Sequence, residues 1–235
     1  MAVSCSHGRH IDRRAKSAVI EFRKAWKPDS MVHLGDFMDT AAFRSNSSEQ
    51  DRGESIGEDV GMGLDFLAEL EATHVLCGNH EDRLYKLQHH PNEIVATCAK
   101  SVIKEVEESV KKLKAKLYPY IYKQHIILGS AVFTHGTVFS EHACRDMAEM
   151  WAGVGRTVIF GHTHRAGMAN GRTVKDSTGI NVGTLAAMEN MDYAKTRRAT
   201  LGWGGGFAWG EYTNERTVAW VHVNGQSESW RLPIV

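Results

Sequence analysis

Short apolar runs alternate with amphipathic helical stretches along the first third of the chain, and that alternation restricts the fold to a layered α/β arrangement. Ala2-Val3-Ser4, Met31-Val32-His33-Leu34 and His74-Val75-Leu76-Cys77 read as short buried strands. Between the first two, Ala15, Ala18, Val19, Phe22, Ala25 and Trp26 share one helical face, with Asp12 as N-cap and Pro28 as stop. Residues 41–54 are polar and read as a loop. Ser55-Ile56-Gly57-Glu58 then has capping-box form and opens a helix carrying Ile56, Val60, Leu64, Leu67 and Leu70. Asn92 caps a further helical pattern, expected to run through Leu117 and to stop at Pro119. His125–Leu128 and Ala131–Thr134 flank Gly129-Ser130 as a hairpin, and Thr157–Phe160 is a strand after a helix over 142–151. The remainder is strand-rich and ends on Thr217–Val223. We expect one domain over residues 1–235, with 84–124 as a helical cap or insertion.

Composition narrows the function. Lys and Arg number 28 and Asp and Glu 28, and a zero balance argues against a generic polyanion binder. The acidic stretch 49–71 and the lysines at 111, 112, 114 and 116 read as solvated faces. No apolar run approaches the roughly 18 residues of a membrane span, and Met1–His7 lacks the parts of a signal peptide. Cys5, Cys77, Cys98 and Cys144 have no CxxC spacing and read as reduced thiols in a cytoplasmic protein.

Histidine is the residue in excess, at 13 of 235. Ligands of open α/β folds bind at the carboxyl ends of strands, and this chain's polar groups gather there. The successive strand ends present Cys5 and His7, Gly35-Asp36-Phe37-Met38-Asp39, Gly78-Asn79-His80-Glu81, His135-Gly136, and Gly161-His162-Thr163-His164. Imidazole and carboxylate groups converging on one edge are what a di-metal site needs. His33, His74, His125 and His222 read instead as satisfied polar groups at sheet edges.

The motifs GDFMD, GNHE, THG and GHTH resemble those of the calcineurin-like metallophosphoesterase superfamily, over residues 5–164. The resemblance implies a four-layer α/β/β/α sandwich and two divalent metal ions, manganese, iron or zinc, sharing Asp36. The first would take Cys5, His7, Asp36 and His164, and the second Asp36, Asn79, His135 and His162. His80 matches the leaving-group acid, and Asp39 matches an aspartate that orients that histidine in related phosphoprotein phosphatases. Thr40-Ala41 stands where that branch continues with Arg-Gly, so the chain departs from it. The implied reaction is hydrolysis of a small phosphomonoester or phosphodiester by attack of a metal-bridging hydroxide. A nuclease or cyclic-nucleotide phosphodiesterase is the alternative enzyme, and a catalytically weak metal-binding scaffold is the alternative from another class.

Cys5 stands where the family has an aspartate. It is read first as a thiolate ligand favouring zinc or iron, second as a non-ligand beside a weak first site, and third as the mark of a decayed site. Asn79 and Arg83 are candidates for phosphate contact. Arg9 and Arg44 read as surface residues, and Trp203, Trp209 and Trp220 as packing residues. Specificity is expected in residues 40–54 and 84–124. No sequence feature bears on oligomeric state.

Overall fold

A computed structural model describes residues 1–44, 48–154, 156–174, 176–191, 202–225 and 230–234. Residues 45–47 of the expected 41–54 loop lie outside the described residues. The remainder of that segment holds a 3-10 turn at Ala41–Phe43 and a short helix, α2 (Glu49–Arg52). Two sheets carry the fold. One has the order β11 (Thr217–Gly225), β10 (Gly205–Tyr212), β1 (Ala2–Val3), β2 (Val32–His33), β3 (His74–Leu76), β4 (Lys116–Tyr118). The other runs β5 (Ile126–Leu128), β6 (Ala131–Phe133), β7 (Thr157–Phe160), β9 (Thr178–Asn181), β8 (Gly167–Asn170).

Strand side chains alternate between two faces, and here the alternation builds three separate cores. Ala2, Val32, Leu76 and Ala208 of the first sheet meet Ile126, Phe133, Ile159 and Ile180 of the second. Their neighbours Val3, Val75 and Phe207 point the other way. They pack on Val19 and Phe22 of α1 (Arg13–Trp26), Phe66 and Leu67 of α3 (Ile56–Glu69), and Val102 and Val106 of α5 (Glu93–Lys112). On the far side, Val132, Val158 and Phe160 cover Met147 and Trp151 of α6 (Ala143–Trp151). The layers are therefore helix, sheet, sheet, helix, the expected four-layer sandwich.

The caps lie where the sequence places them. Asp12 accepts from Arg14 N at 2.8 Å, Ser55 from Glu58 N at 3.3 Å, and Asn92 from Ile94 N at 2.9 Å. These bonds satisfy helix N–H groups that have no intrahelical partner. Within segment 84–124 the helix α5 packs into the main core. Val102, Ile103, Val106 and Val110 are buried there, each worth about 1.5–3 kcal/mol of burial. The expected continuation of this helix to Leu117 is corrected. Lys114 turns left-handed at φ 60, and residues 116–118 pair in parallel with β3 as an edge strand. Leu113 and Leu117 are four apart, so they fit a helix, yet Leu117 reaches the same core from a strand.

β1, β2 and β3 pair in parallel, as do β6 and β7. Their carboxyl ends therefore point one way within each sheet. Cys5 N donates to Gly35 O at 2.9 Å, and Gly161 N donates to His135 O at 3.0 Å, which ties neighbouring ends together. His162 N donates to Cys5 Sγ at 3.3 Å and joins the two sheets at that edge.

Candidate metal centre

The chain turns sharply just beyond the strands. Cys5, His7, Asp36, His162 and His164 all have positive φ, between 52 and 70°. This conformation is uncommon for residues with a Cβ and is held only where the surroundings fix it. Each turn swings a side chain inward from the strand end. Two glycines permit the crowding. A Cβ on Gly35, at φ 111, would lie 2.6 Å from His135 Nδ1, and one on Gly78 would lie 2.1 Å from Asp36 Oδ1. No side chain fits at either place.

The turns bring together two groups of potential ligands that share Asp36. Cys5, His7, Asp36 and His164 form one, with donor atoms all within 4.8 Å of one another; Asp36, His135 and His162 form the other on the same measure. All six residues are buried, at 8% exposure or less. Asn79 is the first residue of α4 (Asn79–Leu87), and its Oδ1 lies 3.2 Å from His135 Nε2. Every ligand position expected from the sequence is thus drawn to one locus.

Lone pairs converge in the second group. His135 Nδ1 donates to Leu34 O at 2.8 Å, so its Nε2 is left facing Asn79 Oδ1 at 3.2 Å, Asp36 Oδ2 at 3.3 Å and His162 Nδ1 at 3.2 Å. Burial opposes a proton on His135, but the Asp36 charge outweighs it and raises the pKa. In the first group, His7 Nε2 faces His164 Nε2 at 3.1 Å. Burial holds His7 and His164 below the usual histidine range, and holds His162 down to about 3. Such imidazoles are neutral, the state in which histidine ligates metals. His162 Nε2 and His164 Nδ1 are buried without a hydrogen-bond partner. Cys5 Sγ receives the His162 N–H and lies 3.1 Å from Ser4 Oγ. Burial, and then the Asp36 charge, push its thiol pKa well up, so a nearby cation is what would make it a thiolate.

Asp39 serves two histidines. Its Oδ1 lies 2.9 Å from His7 Nδ1 and 3.0 Å from His80 Nδ1. Its main-chain oxygen accepts from His80 Nδ1 at 2.6 Å. His80 Nε2 is thereby turned toward Asp36 Oδ2, 4.0 Å away. Burial alone would lower the His80 pKa, yet Asp36 and Asp39 together push it up to about 9.

Several supporting residues carry no signal in a sequence reading of ligand types. Glu81 is 1% exposed and accepts three backbone N–H groups, from Gly78 at 2.7 Å and from Asp36 and Met38 at 2.9 Å. Burial and then the Asp36 charge raise it to about 7, against the pull of those N–H groups. Asp59 of α3 likewise receives Asp39 N at 3.1 Å and Thr40 N at 2.8 Å. These two carboxylates hold the Asp36–Thr40 turn from opposite ends. Asn181 donates to Gly161 O at 2.7 Å and steadies the last turn. Arg83 Nη1 contacts the carbonyls of Asp39 and Thr40 at 3.0 and 3.1 Å, so the structure places this phosphate candidate against the turn that carries Asp39. His10 extends the cluster outward, with Nε2 3.3 Å from Glu54 Oε1 and 3.9 Å from Asp39 Oδ2. Trp203, read from sequence as a packing residue, lies with its ring centroid 4.2 Å from that of His164.

The model of the calcineurin-like phosphoesterase superfamily domain matches residues 1–196. The chain belongs to that superfamily. Among relatives of this phosphoesterase, the Gene 54 protein of Mycobacterium phage D29 is 27% identical over 213 residues, 83% of this chain and 82% of its own length. The hypothetical protein PH1004 of Pyrococcus horikoshii OT3 shares the fold, with a TM-score of 0.52 at 12% identity over 97% of this chain and 88% of its own. The E. coli phosphoesterase Yfce aligns at a TM-score of 0.38 and 15% identity, over 80% of each chain. The superfamily implies divalent metal ions. The donor set of this phosphoesterase fits them, because acceptor atoms face one another around Asp36 and buried imidazole nitrogens lack partners. No helix among the described residues is long and apolar enough to cross a membrane.

Proposed function

We propose that the protein is a metal-dependent phosphoric ester hydrolase acting on a phosphomonoester or phosphodiester. The observation that carries this reading is the sharing of Asp36 between two ligand groups, with His80 beside them and not among them. Cys5, His7, Asp36 and His164 would hold one cation, and Asp36, Asn79, His135 and His162 the other. Bound divalent cations supply positive charge for the phosphoryl oxygens and lower the pKa of water to near neutrality. A thiolate from Cys5 is soft, so zinc or iron suits the first position better than magnesium.

The chain's own residues do the rest. Asp36 brings its carboxylate to both groups while its Oδ1 accepts the His80 N–H at 3.0 Å, which fixes its rotamer. His7 donates an Nδ1–H hydrogen bond to Asp39 Oδ1 and keeps Nε2 as a ligand atom. His80 has Nδ1–H committed to Asp39, and once it is the imidazolium its Nε2 carries the second proton, which can pass to the leaving oxygen. The Asp39 carboxylate stabilises the imidazolium needed for that transfer. At the start of α4 the consecutive residues Asn79 and His80 supply the ligand and the acid, Asn79 facing His135 and His80 facing Asp39.

The test is turnover of chromogenic phosphomonoesters and phosphodiesters by protein supplied with Mn²⁺, Zn²⁺ or Fe²⁺. We expect hydrolysis of at least one class, lost on chelation and restored by metal. Absence of turnover with every metal would overturn the assignment in favour of a binding role.

A further inference from the structure

The phenylalanines of this chain are distributed unevenly. Six of the eight are buried to 4% exposure or less and Phe43 is half-buried, whereas Phe139 is 75% exposed. An isolated exposed apolar ring is ordinary, but this one is not isolated from the site. It follows the β6 turn that carries His135, and its centroid lies 4.2 Å from that of the His162 imidazole. His164 shares the turn after β7 with His162, and Trp203 meets it with a centroid separation of 4.2 Å. Tyr120 meets the third imidazole, His135, at 5.6 Å, and its hydroxyl donates to Gly136 O at 3.4 Å. The rings thus come from three separate segments and contact three different ligand histidines. Beyond Tyr120 the apolar surface continues outward through Ile121 and Tyr122, 58% and 76% exposed.

A phosphoryl group has no use for such a rim. Its oxygens are polar and fully served by cations and N–H donors. A flat ring attached to the phosphate does have a use for it, since aromatic surfaces stack on one another and shed water in doing so. We propose that the site selects phosphate esters whose organic part carries a planar aromatic ring, seated against Phe139 and Trp203. This deepens the hydrolase reading above and rests on it. The shared chemistry is the planar ring, from a nucleoside or from a simple aryl group.

The test compares esters with the same kind of leaving oxygen, a primary alkoxide: adenosine 5′-monophosphate, benzyl phosphate and glycerol 3-phosphate, each also as its methyl diester. For the wild type we expect kcat/KM about tenfold or more higher with the ring-bearing esters, the scale of one aromatic stacking contact. The advantage should sit in KM. In Phe139→Ala the ratio of ring-bearing to glycerol ester should fall about tenfold, and Phe139→Tyr should restore it, since a second flat ring stacks equally well. Preference for both adenosine and benzyl esters identifies any planar ring as sufficient, and preference for adenosine alone identifies a nucleoside. Equal kcat/KM for all three in the wild type, or a ratio unmoved in Phe139→Ala, overturns the proposal while leaving the hydrolase reading intact. Failure to turn over any of the six removes the hydrolase reading and the proposal with it.

Discussion

Asp36→Asn is expected to lower kcat/KM by at least about 10³-fold, because several kcal/mol of transition-state charge stabilisation leave with the metal ions. The expectation comes from the position of this one carboxylate. It is the residue common to both ligand groups, it is 1% exposed, and its Oδ2 is 3.3 Å from His135. Asparagine keeps the shape and can still accept the His80 N–H through Oδ1. It cannot supply the negative charge that two cations at this place would share. The fold should therefore survive, with unchanged circular dichroism, while steady-state turnover collapses. Turnover within tenfold of the wild type would remove Asp36 from the role given to it here.

His80→Ala should behave differently. Its loss should scale with how badly the departing oxygen needs a proton. For alkyl phosphates the expected fall in kcat is about 10²–10⁴-fold, the usual worth of a positioned general acid. For a nitrophenyl ester, whose leaving group departs as an anion unaided, the fall should be far smaller. Metal content should stay at the wild-type level, because His80 lies in neither group that shares Asp36. The steepened dependence of rate on leaving-group pKa is the signature to measure. An unchanged slope across a series of esters would show that His80 does not deliver the proton.

The parts of this site that could be read from sequence are those in which a side chain acts directly. Imidazoles, a thiol and carboxylates recur at strand ends, and each is recognisable because its own chemistry is the function. The supporting residues are different. Glu81 and Asp59 act by receiving backbone N–H groups, and such bonds exist only once the turns have formed. Nothing in the spacing of Glu81 shows that it braces Asp36. Trp203 reaches His164 across 39 residues of sequence, a contact that depends on how the last strands fold back. The exposure of Phe139 likewise depends on the fold around its turn, and no local pattern marks it.

The fold shows the same division. Local rules located the N-caps at Asp12, Ser55 and Asn92, because a cap depends on its near neighbours. They failed at Leu117, where a helical spacing and a strand face coincide and pairing with β3 decides the outcome. Alternation implied a layered α/β fold and the family resemblance implied the four layers; in the structure Ala2 and Val3 face opposite sides of the first sheet and so enter different cores.

The proposed centre would place two cations around Asp36, one of them on Cys5. Elemental analysis of protein purified without chelator tests it most directly. We expect two equivalents of metal in the wild type, about one in Cys5→Ala and almost none in Asp36→Asn. Wild-type protein that takes up no zinc, iron or manganese, or a metal content unchanged in Asp36→Asn, would contradict it.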